Sequence, residues 1–137
     1  MNPPVSEPDA DNTSANTHVL VADDDPSVCV LLSLMLGRLG YKVTTVSDGS
    51  AAVATVIENL QEIGTVILDV HMPELDGVGA MNRIRSMAPN MRVILTSGTP
   101  KADVISDFKP QQPWSFLEKP FHYGEISSLF PQVAAKA

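Results

Sequence analysis

The chain has 137 residues, a single cysteine, a formal net charge of -7 and a pI near 4.7. That length suits one domain with a core large enough to stand without staples, and one cysteine excludes a disulfide framework and fits a reducing compartment. The acidic balance argues against non-specific nucleic-acid binding, no apolar run approaches a membrane span, and the N-terminus lacks the basic and apolar regions of a secretory signal.

Residues 1–17, MNPPVSEPDADNTSANT, contain one large aliphatic residue, Val5. They cannot bury enough apolar surface to offset the entropy of ordering, so they read as a flexible tail, with a domain over 18–134 and a short tail at 135–137. From His18 onward, short apolar runs alternate with amphipathic segments. His18–Ala22 reads as a buried strand. Pro26–Leu39 reads as a helix, with Val28, Leu31, Leu32, Met35, Leu36 and Leu39 at helical spacing, Pro26 in the first turn and Gly40 as the stop. Tyr41–Val46 is a second strand. A helix capped by Asp48 or Ser50 should run to about Ile63, with Ala52, Val53, Val56, Ile57 and Leu60 on one face. Thr65–Asp69 is the third strand, followed by a helix over Gly77–Met87 and a fourth strand over Met91–Thr96. A short helix over Lys101–Phe108, an extended Pro110–Pro113 loop, a fifth strand over Trp114–Glu118 and a last helix from Tyr123, interrupted at Pro131, complete the pattern. This alternation specifies an α/β domain, a doubly wound parallel sheet with helices on both faces. Cys29, within Val28-Cys29-Val30, reads as a small core hydrophobe, and Trp114 as a packing residue.

Ligands in such sheets bind outside the carboxyl ends of the strands. The first strand ends on Asp23-Asp24-Asp25, the third on Asp69, the fourth on Thr96-Ser97 and the fifth on Glu118-Lys119-Pro120. Alone, each piece has a plain role: a helix cap, a turn, an ordinary loop. Together they bring carboxylates, a hydroxyl and an ammonium to one edge. Carboxylates packed closely repel by several kcal/mol per pair, which a hard divalent cation removes. That set suits phosphoryl transfer, with a carboxylate as nucleophile.

The stretches VLVADDDPSV (19–28), VILDVHMPELDG (66–77), VILTSG (93–98) and FLEKPF (116–121) resemble the receiver domains of two-component response regulators. The resemblance runs from about His18 to Pro131 and implies a five-stranded flavodoxin-like sheet of order 2-1-3-4-5. It implies Asp69 as phosphoacceptor, and Asp23 and Asp24 as the acidic pair holding Mg²⁺ (or Mn²⁺), Asp24 as a direct ligand. The backbone carbonyl of His71 would complete the protein ligands. Thr96 becomes the switch hydroxyl, Lys119 the contact to the phosphoryl group and Phe116 the switch aromatic, while Pro73 and Gly77 shape the loop after the acceptor. It further implies a histidine kinase or histidine phosphotransfer protein as donor, a downstream protein target, self-catalysed phosphorylation with slow autodephosphorylation rather than ordinary turnover, and a cytoplasmic location. Direct DNA binding and membrane association are not expected, and a homodimer is left open.

Two departures from the family pattern stand out. The fourth helix is short, and Gln112-Pro113-Trp114-Ser115 replaces the usual small Gly-Ala pair before the fifth strand. Similar Pro-containing stretches occur in receivers attached to hybrid kinases, so the chain reads as a stand-alone regulator or a receiver taken from a longer protein. Two other classes stay open. Asp23 and Asp25 form the loose Asp-x-Asp of a haloacid-dehalogenase-type phosphatase, and a receiver-like module that is never phosphorylated would share this fold.

Overall fold

The computed structural model describes residues 17–133; the expected tail segments 1–16 and 135–137 lie outside them, as does residue 134. The elements run β1 (His18–Ala22), α1 (Pro26–Arg38), β2 (Lys42–Val46), α2 (Gly49–Glu58), β3 (Ile63–Asp69), α3 (Gly77–Met87), β4 (Arg92–Ser97), α4 (Lys101–Phe108), β5 (Ser115–Glu118) and α5 (Tyr123–Leu129). The strands form one sheet in the order β2-β1-β3-β4-β5, and every pairing is parallel.

The sheet has a core on each face, which is why its central strands are apolar without alternation. Leu20, Val66, Leu68, Val93 and Leu95 pack against Ala52 and Val56 of α2, Met81 and Ile84 of α3 and Val104 of α4. Val19, Val21, Ile67 and Ile94 pack the opposite way, against Leu32 and Leu36 of α1 and Ile126 and Phe130 at the α5 end. Parallel strands with both faces covered place every strand's carboxyl end at one edge of the domain.

Three aspartates start helices at that edge. Asp25 accepts from the Ser27 N–H, Asp48 from the Ala51 N–H and Asp76 from the Gly79 N–H, each satisfying a donor that the first helical turn cannot. A cap of this kind stabilises by about 1 kcal/mol. Pro26 occupies the first turn of α1 as expected, and Gly40 follows the helix at φ +97, a conformation that favours glycine.

Several boundaries move. α2 stops at Glu58 rather than Ile63, because the Asn59 amide bonds back to the Thr55 carbonyl and residues 59–62 turn, so that Ile63 already belongs to β3. Ile57 and Leu60, expected on the buried face, are exposed, as are Leu31 of α1 and Met87 of α3. β5 begins at Ser115, one residue after Trp114, and α5 ends at Leu129, before Pro131. Beyond α5 the chain is strapped back: the Val133 N–H donates to the Leu39 carbonyl and the Tyr41 hydroxyl to the Pro131 carbonyl. The Tyr41 and Phe130 rings meet edge-on, and the Arg92 guanidinium covers Phe130 while donating to the Leu129 carbonyl.

α4 is the least anchored helix of the α2–α4 face. Val104 is its only buried residue, its N-cap Pro100 makes no side-chain cap bond, and it ends at Lys109 in the left-handed region. The loop that follows carries a cis Gln112–Pro113 bond. Trp114, half-buried, packs on the core, donates its ring N–H to the Pro110 carbonyl at 3.3 Å and lies under Lys101 Nζ at 5.4 Å.

Two glycines should respond to alanine with opposite signs. At Gly77 a Cβ would collide with the carbonyl oxygen of Asp69, whereas at Gly37 in α1 it would meet nothing within 4 Å. Gly77→Ala should destabilise by about 1–3 kcal/mol through forced backbone shifts. Gly37→Ala should stabilise by up to ~1 kcal/mol through helix propensity. Urea unfolding of both variants checks the pair.

Candidate functional site

Asp23 leaves β1 and is held twice: its N–H donates to the Val46 carbonyl at 3.1 Å, and its Oδ1 accepts from the Asp25 N–H at 2.9 Å. It is 2% exposed, while the neighbouring Asp24 points to solvent. Asp69 is the last residue of β3, paired with Thr96 of β4, and its Oδ1 accepts from the His71 N–H at 3.2 Å. Lys119 follows β5, and its N–H donates to the Ser97 carbonyl at 2.8 Å, prolonging the β4–β5 ladder. The bond to Pro120 is cis. Lys119 Nζ lies 2.8 Å from Asp23 Oδ2 and 3.4 Å from Asp69 Oδ2. Residues expected from β1, β3 and β5 thus meet in one salt-bridged group.

The loop after Asp69 is folded tightly onto it. Val70 donates its N–H to the Thr96 carbonyl at 2.8 Å, and the Gly77 N–H closes back on the Val70 carbonyl at 3.0 Å. Glu74 takes φ 71 between them, a left-handed conformation that non-glycine residues adopt at a cost. Gly49, at the start of α2, lets this loop approach so closely that a Cβ there would strike the Leu75 carbonyl oxygen. The Met-Pro and Asp-Gly pairs of the sequence therefore build a compact wall behind the acceptor.

Charge and burial compete here. Burial, followed by the Asp23 charge, raises the Asp69 carboxyl from 3.8 to about 6, against the opposing pull of Lys119 and of the His71 N–H. Burial works to lower the Lys119 ammonium, but Asp23 and Asp69 prevail and raise it. Ligand oxygens of Asp23, Asp24 and Asp69 all lie within 4.8 Å of one another. One lysine against three carboxylates leaves an excess of negative charge, and a donor set made only of oxygen fits a hard cation such as Mg²⁺.

The remaining residues divide. Thr96 is 1% exposed at the end of β4. Phe116 is half-buried, opposite Leu95, on the α2–α4 side of the sheet. His71 is exposed, and its ring meets Phe108 of α4 edge-on at 5.5 Å. Asp25 stands outside the cluster, because its carboxylate is used by the Ser27 N–H and hydroxyl at 3.0 and 2.7 Å. That assignment removes the second aspartate from the Asp-x-Asp reading. Cys29 is not plain core: it is half-buried and its thiol donates to the Asp23 carbonyl at 3.4 Å. Burial first, then the Asp23 charge, push that thiol up. The supporting roles of Cys29, Gly49 and Phe108 carry no local motif and emerge only once α1, α2 and α4 are folded against the loops.

The raised Asp69 value has a sign that can be tested. The folded protein binds this proton more tightly than the unfolded chain. Ionised Asp69 therefore costs stability above about pH 6, and the cost is relieved as pH falls through 6 towards 3.8. Asp69→Asn should stabilise the metal-free protein by about 1–3 kcal/mol at neutral pH, with the gain shrinking towards zero near pH 4. Urea midpoints measured across that range without divalent cations check it; a pH-independent difference would mean that charge is not the cause.

A family model described as the response regulator receiver domain matches residues 19–130. Among curated proteins, the two-component response regulator ORR21 of Oryza sativa is 30% identical over 118 residues, covering 86% of this chain and 17% of that protein. The two-component response regulator ARR2 of Arabidopsis thaliana is 28% identical, covering 93% of this chain and 19% of its own length. The chain thus spans less than a fifth of either relative. Among solved structures, the receiver domain of the sensor histidine kinase PA1611 from Pseudomonas aeruginosa, with a magnesium ion in its active-site cleft, superposes with a TM-score of 0.75. The two are 25% identical, with 87% of this chain and 98% of that one covered. A chain of the CheX–CheY–BeF3–Mg complex from Borrelia burgdorferi gives a TM-score of 0.74 at 27% identity, covering 82% of this chain and 88% of that one. With the sheet order, the acidic edge and the lysine after β5 all in place, the chain belongs to the response regulator receiver domain family.

Proposed function

We propose that this receiver takes a phosphoryl group from a phosphohistidine onto Asp69 and that the modification changes which protein it binds. The observation that carries the reading is the Lys119 ammonium seated between Asp23 and Asp69 beside a three-carboxylate cluster. In the step, an Asp69 carboxylate oxygen forms the O–P bond while the N–P bond of the phosphoimidazole breaks, leaving neutral imidazole. Lys119 offsets charge on the phosphoryl oxygens, and β3 holds the nucleophile in place with no reorganisation to make at the moment of reaction. Asp23, Asp24, Asp69 and the His71 carbonyl would hold Mg²⁺, which supplies charge neutralisation at the transferred group. Hydrolysis of the aspartyl phosphate, slow in this reading, resets the protein.

A donor protein needs a surface beside the acceptor. Val30, Leu31 and Leu34 are 59%, 41% and 64% exposed on α1, the helix that begins next to Asp23 and Asp24. Apolar exposure of this kind on one helix face supports a protein partner rather than a small phosphate ester as the source. Among the described residues no helix is long and apolar enough to cross a membrane, and the proposed place of action is the cytoplasm. Output by protein contact is the reading for this chain; the relative ZraR of Escherichia coli is named a transcriptional regulatory protein, and this chain covers 27% of it.

Acetyl phosphate with Mg²⁺ should add one phosphoryl group, read by intact mass. The adduct should vanish with EDTA and in Asp69→Asn, and its persistence in Asp69→Asn would move the acceptor elsewhere. Asp24→Ala should weaken Mg²⁺ binding by about tenfold or more, as expected when an ion held by few protein oxygens loses one.

The switch should run through α4. Thr96 drawn toward the phosphoryl group and Phe116 following it would act on a helix fixed by Val104 and by the Phe108–His71 contact. Residues 97–113 should exchange amide protons fastest among the described segments and gain protection with beryllofluoride, by about 1–3 kcal/mol. Protection confined to the neighbourhood of Asp69 would place the output on another face, with α1 the next to examine.

A further inference from the structure

At the opposite end of the sheet from Asp69 lies a cavity of about 310 Å³, lined by Arg85, Pro89, Asn90, Met91, Arg92, Val93, Pro113, Trp114 and Ser115. The register sets the separation: Arg92 pairs with Thr65 while Thr96 pairs with Asp69, so four residues, about 13 Å of strand, divide the two places. The volume is at the lower end of the range of small-molecule sites.

Its chemistry is one-sided. No carboxylate lines it. The Arg85 guanidinium, half-buried on the last turn of α3, makes no ion pair among the described residues and spends its donors on weak neutral acceptors: the Met81 sulfur at 3.6 Å and the Met91 carbonyl at 3.3 Å. Its Nε–H is buried with no partner. A guanidinium without an ion partner is matched best by a planar two-oxygen anion. Around this charge lie the flat apolar walls of Trp114, Pro89 and Pro113, with Asn90, Ser115 and a second cation, Arg92, as the polar members.

We propose that this cavity is a second ligand site, for a small organic acid with a flat apolar body whose carboxylate meets Arg85 while its body lies against Trp114 and the two prolines. The site is independent of the phosphoacceptor reading, since neither Asp69 nor Lys119 takes part, so either can fail without the other.

Trp114 is the only tryptophan in the chain, so its fluorescence reports on the cavity directly. Benzoate, phenylacetate and nicotinate, each against its own primary amide and against sodium sulfate, form the test, with amide chemical shifts of residues 85–93 and 113–115 as second readout. At least one acid should bind saturably with Kd on the order of 1 mM or tighter, as suits a ligand of this size. Its amide should bind at least tenfold more weakly, and Arg85→Gln should abolish the preference. An acid and amide that bind alike, sulfate that binds as well as the acids, or no saturable response to any acid overturns the proposal. Should Arg85→Gln fail to fold, the acid-against-amide comparison on the natural chain decides the matter.

Discussion

Lys119 Nζ, 2.8 Å from Asp23 and 3.4 Å from Asp69, ties together residues that follow or end β5, β1 and β3. These groups are distant in sequence and come together because a parallel sheet delivers all its carboxyl ends to one edge. The arrangement costs stability as much as it lends it. Desolvation and mutual repulsion push Asp69 up to about 6, so the metal-free state holds a carboxylate under strain of charge rather than of geometry. A rigid framework is what makes that tolerable. The two cores fix β1 and β3 so firmly that the carboxylates cannot drift apart to relieve one another. An added cation or phosphoryl group therefore meets a site already paid for by packing elsewhere.

The same framework explains why change should be confined to one side. β1, β3 and α1 are anchored by fully buried aliphatics, whereas α4 holds on by Val104 and by ring contacts. Phe108 touches the His71 ring, and His71 lies in the loop that closes over the acceptor. A shift in that loop reaches α4 through a direct contact, with no long chain of intermediates. Trp114, gripped by Pro110 and Lys101, marks where the movable segment rejoins the sheet.

How legible this was in the sequence depended on the range of the interaction behind each feature. β1 and α3 were readable to the residue, because Pro, Gly and Asp caps punctuate uniform apolar runs and those signals are local. Asp23, Asp69 and Lys119 were readable because strand ends in such a sheet share one edge. The end of α2 was not: the apolar pattern continues through Ile57 and Leu60, yet both are exposed and the helix stops at Glu58, since Ile63 is claimed by pairing with His18 across the sheet. Asp25 looked like a member of the acidic set until helix geometry turned it to Ser27. Arg85 offered no sequence signal, because its isolation depends on which residues fail to reach it.

The strand order bears on how the protein is made. Synthesis delivers β1, β2, β3 and β4 in succession, and each can pair with a strand already present, β1 serving both β2 and β3. By the time Asp69 and Thr96 have emerged, Asp23 and Asp69 can sit side by side, but Lys119 is still inside the ribosome. A sheet that pairs in that order brings Asp23 and Asp69 together before Lys119 can join them. Until β5 is added, only protons, solvent or a dissolved cation can balance that edge, and the arrival of the edge strand is at once the completion of the sheet and the neutralisation of its charge.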